Sequence, residues 1–137
     1  MQSTIKAMKI YDSNNLLLAQ KVIPFSSDSQ KQFFTDDQLD FQVASFSLEK
    51  DSEIERHIHN KQNRIIQTTS EALILLSGII EIEIFDNNLK FIDKFLVLPG
   101  EIIVLFAGGH SLKVIEEAKF IEIKQGPFDA NNDKKRF

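Results

Sequence analysis

Residues 73–85, LILLSGIIEIEIF, decide the fold class. After Gly78 the chain alternates Ile80, Ile82 and Ile84 with Glu81 and Glu83. Successive side chains of a strand point to opposite faces, so a period of two marks a strand with one buried and one wetter side. Downstream, Asp86-Asn87-Asn88 carries turn chemistry, because Asn and Asp tolerate positive φ and hydrogen-bond their own backbone. Residues 91–98 then return as a second strand, and 79–98 reads as a β-hairpin. Pro99-Gly100 is a further turn signal, followed by an apolar strand at 102–106 and a break at Gly108-Gly109. Residues 112–115 and 120–124 read as two more strands, with Glu116-Glu117 near the turn between them. The tail, 126–137, is polar and expected to run extended over the surface.

Upstream the pattern is more mixed. Residues 16–19 (LLLA) and 41–48 (FQVASFSL) are strand candidates. Between them 26–40, rich in Ser, Gln and Asp, reads as a loop with one helical turn at most. From residue 54 onward strand is expected to follow strand. Closely spaced strands with turn signals, and no long amphipathic stretch, point to an all-β sandwich or barrel. No linker or repeat interrupts 1–137, so a single domain is expected, with a core over 41–125 and N-terminal strands within 1–40.

Composition narrows the function. The chain has 137 residues, enough for one real core, and is 42% hydrophobic and 26% charged. A net charge of −4, with Lys and Arg scattered among Asp and Glu, lacks the basic face of a nucleic-acid binder. There is no cysteine, which removes disulfides, thiolate metal sites and a catalytic thiol. Residues 1–20 mix Lys6, Lys9, Asp12 and two Asn with their apolar residues, unlike a signal-peptide core. No apolar run approaches the roughly 20 residues that span a bilayer. A cytoplasmic protein is the expectation. Twelve Phe, one Tyr and no Trp make the aromatic usage lopsided, and core packing accounts for most of the Phe.

Two of the three histidines form His57-Ile58-His59. In a strand, residues i and i+2 share a face, which would aim both imidazoles at one spot. Imidazole is the commonest protein ligand for transition metals. His110 follows Gly108-Gly109, and Glu71 opens the 73–76 run. Two or three His with one carboxylate on a rigid β scaffold make an open metal site. An isolated H-x-H is a weak signal, since it also recurs by chance or as two exposed polar residues, here beside Arg56 and Asn60.

In these residues the sequence resembles the cupin family. His57-Ile58-His59 stands for the first half of the first cupin motif, and Glu71 followed by six residues and Gly78 (EALILLSG) for the second half. Gly100 opens the second motif, Phe106-Ala107-Gly108 takes the place of its Pro-x-Gly turn, and His110 closes it. Eleven residues separate His59 from Glu71, where the family has a short gap, and Val114 stands where an Asn often follows the last His. More narrowly, Phe34-Thr35-Asp36-Asp37, Phe41-Gln42-Val43, Arg64, Gly108-Gly109-His110 and the 121–128 segment IEIKQGPF resemble small bacterial cupins associated with polysaccharide biosynthesis.

The resemblance implies an antiparallel jelly-roll β-barrel with one divalent transition metal (Zn, Fe, Ni or Mn) on His57, His59, His110 and Glu71. It also implies a small-molecule ligand, a sugar or nucleotide-sugar being the class it suggests, and a homodimer. Neither nucleic acid nor membrane is expected as a partner. Arg64 could clamp a carboxylate or phosphate through its planar fork, or merely be solvated. Gln42 could line the cavity or pair with backbone. Glu122 and Lys124 alternate with Ile121 and Ile123, which fits either a solvated face or a reach into the barrel mouth. A metal-dependent isomerase, oxygenase or lyase and a non-catalytic binding or sensing module are both compatible with these residues. A metal-free sugar epimerase fits less well, since such enzymes use a His with a Tyr and the sole Tyr is Tyr11.

Overall fold

The computed structural model describes residues 8–137; the opening of the N-terminal reading, 1–7, lies outside them. Among the described residues there are eight strands and no helix, hence no helix long and apolar enough to cross a membrane. They are β1 (Met8–Tyr11), β2 (Leu17–Val22), β3 (Lys31–Phe33), β4 (Ala44–Phe46), β5 (Glu71–Phe85), β6 (Phe91–Val97), β7 (Ile102–Leu105) and β8 (Gly109–Lys124). The main sheet runs β1-β2-β7-β5-β6 with β8 on the other side of β5, and β3 pairs with β4 in a small second sheet. Every ladder is antiparallel.

The organising element is β5. One edge pairs with β8 along its whole length. The other meets β7 over residues 71–74 and β6 over 80–85. The ribbon formed by β5 and β8 is strongly bent, as one side-chain contact shows. His110 is the register partner of Ile84, thirteen residues along β5 from Glu71, which is about 40 Å in an extended strand. Yet His110 Nε2 lies 3.0 Å from Glu71 Oε1. The ribbon therefore folds back on itself and carries its two ends together, curling the sheet into a half-barrel.

Gly78 marks the bend. Its φ is +84°, and a Cβ there would sit 2.1 Å from the Glu117 carbonyl oxygen, so only glycine fits without displacement. Register shifts between Leu75 and Ile80 fall at the same place, the extra residues bending and twisting the strand.

Inside the curl, Ile80, Ile82 and Ile84 of β5 pack with Leu18, Leu73, Leu75 and Ile103 in the main core. Along β7 burial switches face with each residue. Ile103 and Leu105 join that core, while Ile102 and Val104 join a second one with Val22, Phe106, Phe34 and Phe41. Segment 34–43, flanked by β3 and β4, thus covers the outer face of the sheet. Buried Gln20 ties this layer down, its Nε2 donating to the Phe34 carbonyl at 2.7 Å.

Several expectations are corrected. Residues 112–115 and 120–124 belong to one strand, β8, and Glu116-Glu117 lies in its bulged middle rather than at a turn. The bulge absorbs extra residues without breaking the ladder, which period counting cannot distinguish from a turn. The 41–48 strand shrinks to Ala44–Phe46, and 26–40 contains β3. Most consequentially, 52–70 carries no strand, so His57 and His59 do not sit on the strand expected for them. The all-β class stands as a curled antiparallel half-barrel.

Candidate functional site

The mouth of the half-barrel gathers its polar side chains because the bent ribbon ends there. Glu71 is the first residue of β5, opposite Leu105 on one side and Lys124 on the other. The strand start is set by a clamp in which the Ser70 N–H donates to Gln125 Oε1 at 2.9 Å. His110 is the second residue of β8. It is reached through Gly108, whose positive φ of +73° lets the backbone pass against the Phe85 carbonyl, where a Cβ would stand 2.2 Å away. The Gly108 N–H donates to Asn87 Oδ1 at 3.1 Å, joining the turn after β5 to the turn before β8.

At 12% exposure, Glu71 is largely withdrawn from water, whereas His110 is 39% exposed. The hydrogen bond from His110 is the main cause holding the Glu71 carboxyl below the usual carboxylate range. Burial opposes that shift, while the charges of His110 and Lys124 and a hydrogen bond with Glu122 add to it. A carboxylate can only accept, so Nε2 of His110 carries the proton of this bond. Nδ1 is the second polar atom of the same ring. The pair can therefore orient a polar ligand.

Around the pair lies a cleft of about 820 Å³, lined also by Glu122, Glu83 and Ser111, with the Ser111 hydroxyl donating to Glu83 at 2.9 Å. Lys124 stands beside it, 3.9 Å from Glu122 and 3.3 Å from Asp133. Its ammonium is held above the usual lysine range, chiefly by the hydrogen bond to Asp133. The wall opposite the strands comes from 133–137, through Asp133 and the ring of Phe137 among others.

Of the residues singled out in the sequence, Glu71, His110 and Glu122 meet in the cleft, and Lys124 adjoins it. His57, His59 and Arg64 do not line it; they are exposed on the strandless 52–70 segment. The His57 and His59 rings lie 5.2 Å apart, edge to face, and His57 Nδ1 bonds to the Glu55 carbonyl at 2.8 Å. Gln42 is a loop brace, its Nε2 donating to the carbonyls of Asp36 and Leu39 and its Oε1 accepting from Thr35. Tyr11 is exposed on β1 and is not part of the cleft. Among the described residues no three His, Asp or Glu side chains stand close enough to hold a metal ion. The expected four-ligand set does not converge in this arrangement.

Glu83, Ser111 and the 133–137 segment escaped the sequence reading. Glu83 and Ser111 are register partners across β5 and β8, a pairing set by the bulges rather than by any local pattern. Asp133 and Phe137 reach the site only through the path of the chain after β8. Compared with protein-family models, curated proteins and solved structures, the chain finds no match.

Proposed function

We propose that this chain is a cupin-like half-barrel that binds a small polar molecule in the cleft at Glu71 and His110. One observation carries the reading: the bent β5–β8 ribbon brings a shielded carboxylate and an imidazole to 3.0 Å at the mouth of an 820 Å³ cleft. That volume lies within the roughly 300–1,000 Å³ of small-molecule sites. A convergent polar pair with a shifted carboxyl is what such sites use to orient a ligand. The sugar or nucleotide-sugar class rests on the sequence resemblance to polysaccharide-associated cupins.

The test is a thermal-shift screen of sugars and nucleotide-sugars on wild type and His110→Ala. A ligand confined to the folded state at 100 times its Kd adds about 2.7 kcal/mol of stability. Stabilisation of wild type that His110→Ala abolishes supports the reading. A screen in which no member stabilises wild type, or in which the variant responds equally, removes it. Turnover of the best ligand then separates an enzyme from a binding or sensing module.

The second reading is a divalent metal held by the loop pair, and it is favoured by the 5.2 Å approach of the two exposed imidazoles. Metal analysis of untagged protein, beside a His57→Ala/His59→Ala variant, decides it. Equal metal content in the two proteins after loading with zinc eliminates this centre.

A further inference from the structure

The chain after β8 turns back over the cleft. Residues 126–137 contain no strand, and Phe137 is 61% exposed, yet two contacts fix the path. Asp133 reaches Lys124 at 3.3 Å, and the Phe137 ring meets Phe85 edge to face with centroids 5.1 Å apart. Beneath that ring lies Gly109. A Cβ there would come within 2.7 Å of the Phe137 ring. Unlike Gly108, Gly109 has no left-handed φ to satisfy. A side chain there would have to push the Phe137 ring aside.

Charge follows the same division. The strands and their turn bring Glu71, Glu83, Asp86 and Glu122 to the cleft, and 133–137 brings Lys134, Lys135 and Arg136 over them. Basic side chains over an acidic floor attract it without needing a fixed partner. The seat is one aromatic edge contact and the tether one partly buried ion pair, each a single contact of modest strength. Attachments of this kind hold a segment in place and still let it open locally.

We propose that residues 133–137 form a reversible strap over the Glu71–His110 cleft, seated by Phe137 on Phe85 and Gly109 and tethered by Asp133 to Lys124. Lys124 is the register partner of Glu71, so the tether and the candidate site share a residue. With the strap closed, Lys124 is held by Asp133. With it open, the ammonium is free to turn to Glu122, already 3.9 Å away, and to Glu71. Entry to the cleft and the charge beside Glu71 are in this way switched together.

The experiment needs no ligand and is therefore independent of what the cleft takes. Steady-state ¹⁵N heteronuclear NOE values for 133–137 are measured in wild type, Phe137→Ala and Asp133→Asn. In parallel, the three histidines are modified with diethyl pyrocarbonate and scored by mass spectrometry, with loop-borne His57 and His59 as internal references. The strap predicts ordered NOE values in wild type that fall in each variant. It also predicts that His110 modification, relative to the two references, rises about threefold or more as the strap opens. NOE values in wild type as low as a free chain's overturn it. So does a fall in NOE with no change in His110 reactivity. Gly109→Ala, which crowds the Phe137 ring from below, repeats the test without changing a strap residue.

Discussion

At the scale of the residue, the Glu71–His110 contact has a signed consequence for pH. The Glu71 carboxyl is held below its ordinary value near 4.5, first of all by the His110 hydrogen bond. The folded state thus binds this proton more weakly than the unfolded chain does. The contribution is fully present above the unfolded value and is lost as pH falls through the lower folded one. Urea unfolding of wild type from pH 7 down to pH 3 should accordingly show a drop in midpoint below about 4.5 that is smaller in Glu71→Gln. Parallel midpoint curves for the two proteins would sink the assignment. Glu71 and His110 are both legible in the sequence as candidate site residues. That they bond each other, instead of sharing a spot with His57 and His59, is not. The i, i+2 spacing of His57 and His59 aims both rings at one spot only within a strand, and 52–70 forms none.

At the scale of the element, the bend in the β5–β8 ribbon is what makes a site out of two strand ends. Gly78 and Gly100 both hold a positive φ, +84° and +87°, but only Gly78 is crowded, with the Glu117 backbone where a Cβ would go. Gly100 has open space around it. Gly100→Ala should then cost only the backbone penalty of about 1–2 kcal/mol. Gly78→Ala adds a clash with main chain and should cost about 3 kcal/mol or more. Chemical denaturation of the two variants measures the difference, and equal losses would show that Gly78 is not the hinge. The sequence displayed this glycine inside an apolar run, and the Ile/Glu alternation after it predicted the β5–β6 hairpin correctly. It could not display the bend. A bulge consumes residues without a turn signature, and for the same reason Glu116-Glu117 resembled a loop while lying within β8.

At the scale of the whole molecule, the half-barrel depends on a strand with no wet face. Residues 102–105 of β7 form an unbroken apolar run, and Ile103 and Val104 are both fully buried, one in each core. The outer layer over 34–43 was only partly legible, because its polar Thr35, Asp36 and Gln42 build the loop's own hydrogen bonds while Phe34, Leu39 and Phe41 do the covering. A run this short does not reveal which side each residue serves; the ladder to β2 and β5 does that. Since the two cores share β7, neither can lose its packing without loosening the strand that closes the other. The chain should unfold in one cooperative step, with far-ultraviolet dichroism and the phenylalanine and tyrosine near-ultraviolet bands giving coincident urea curves. Ile103→Ala should lower stability by about 2–5 kcal/mol and Val104→Ala by about 2 kcal/mol. Both should move that single transition, although they empty space on opposite faces. If Val104→Ala instead split off an early transition seen by only one of the two probes, the outer layer would be an independent unit. In that case β7 would not bind the two cores into one cooperative fold.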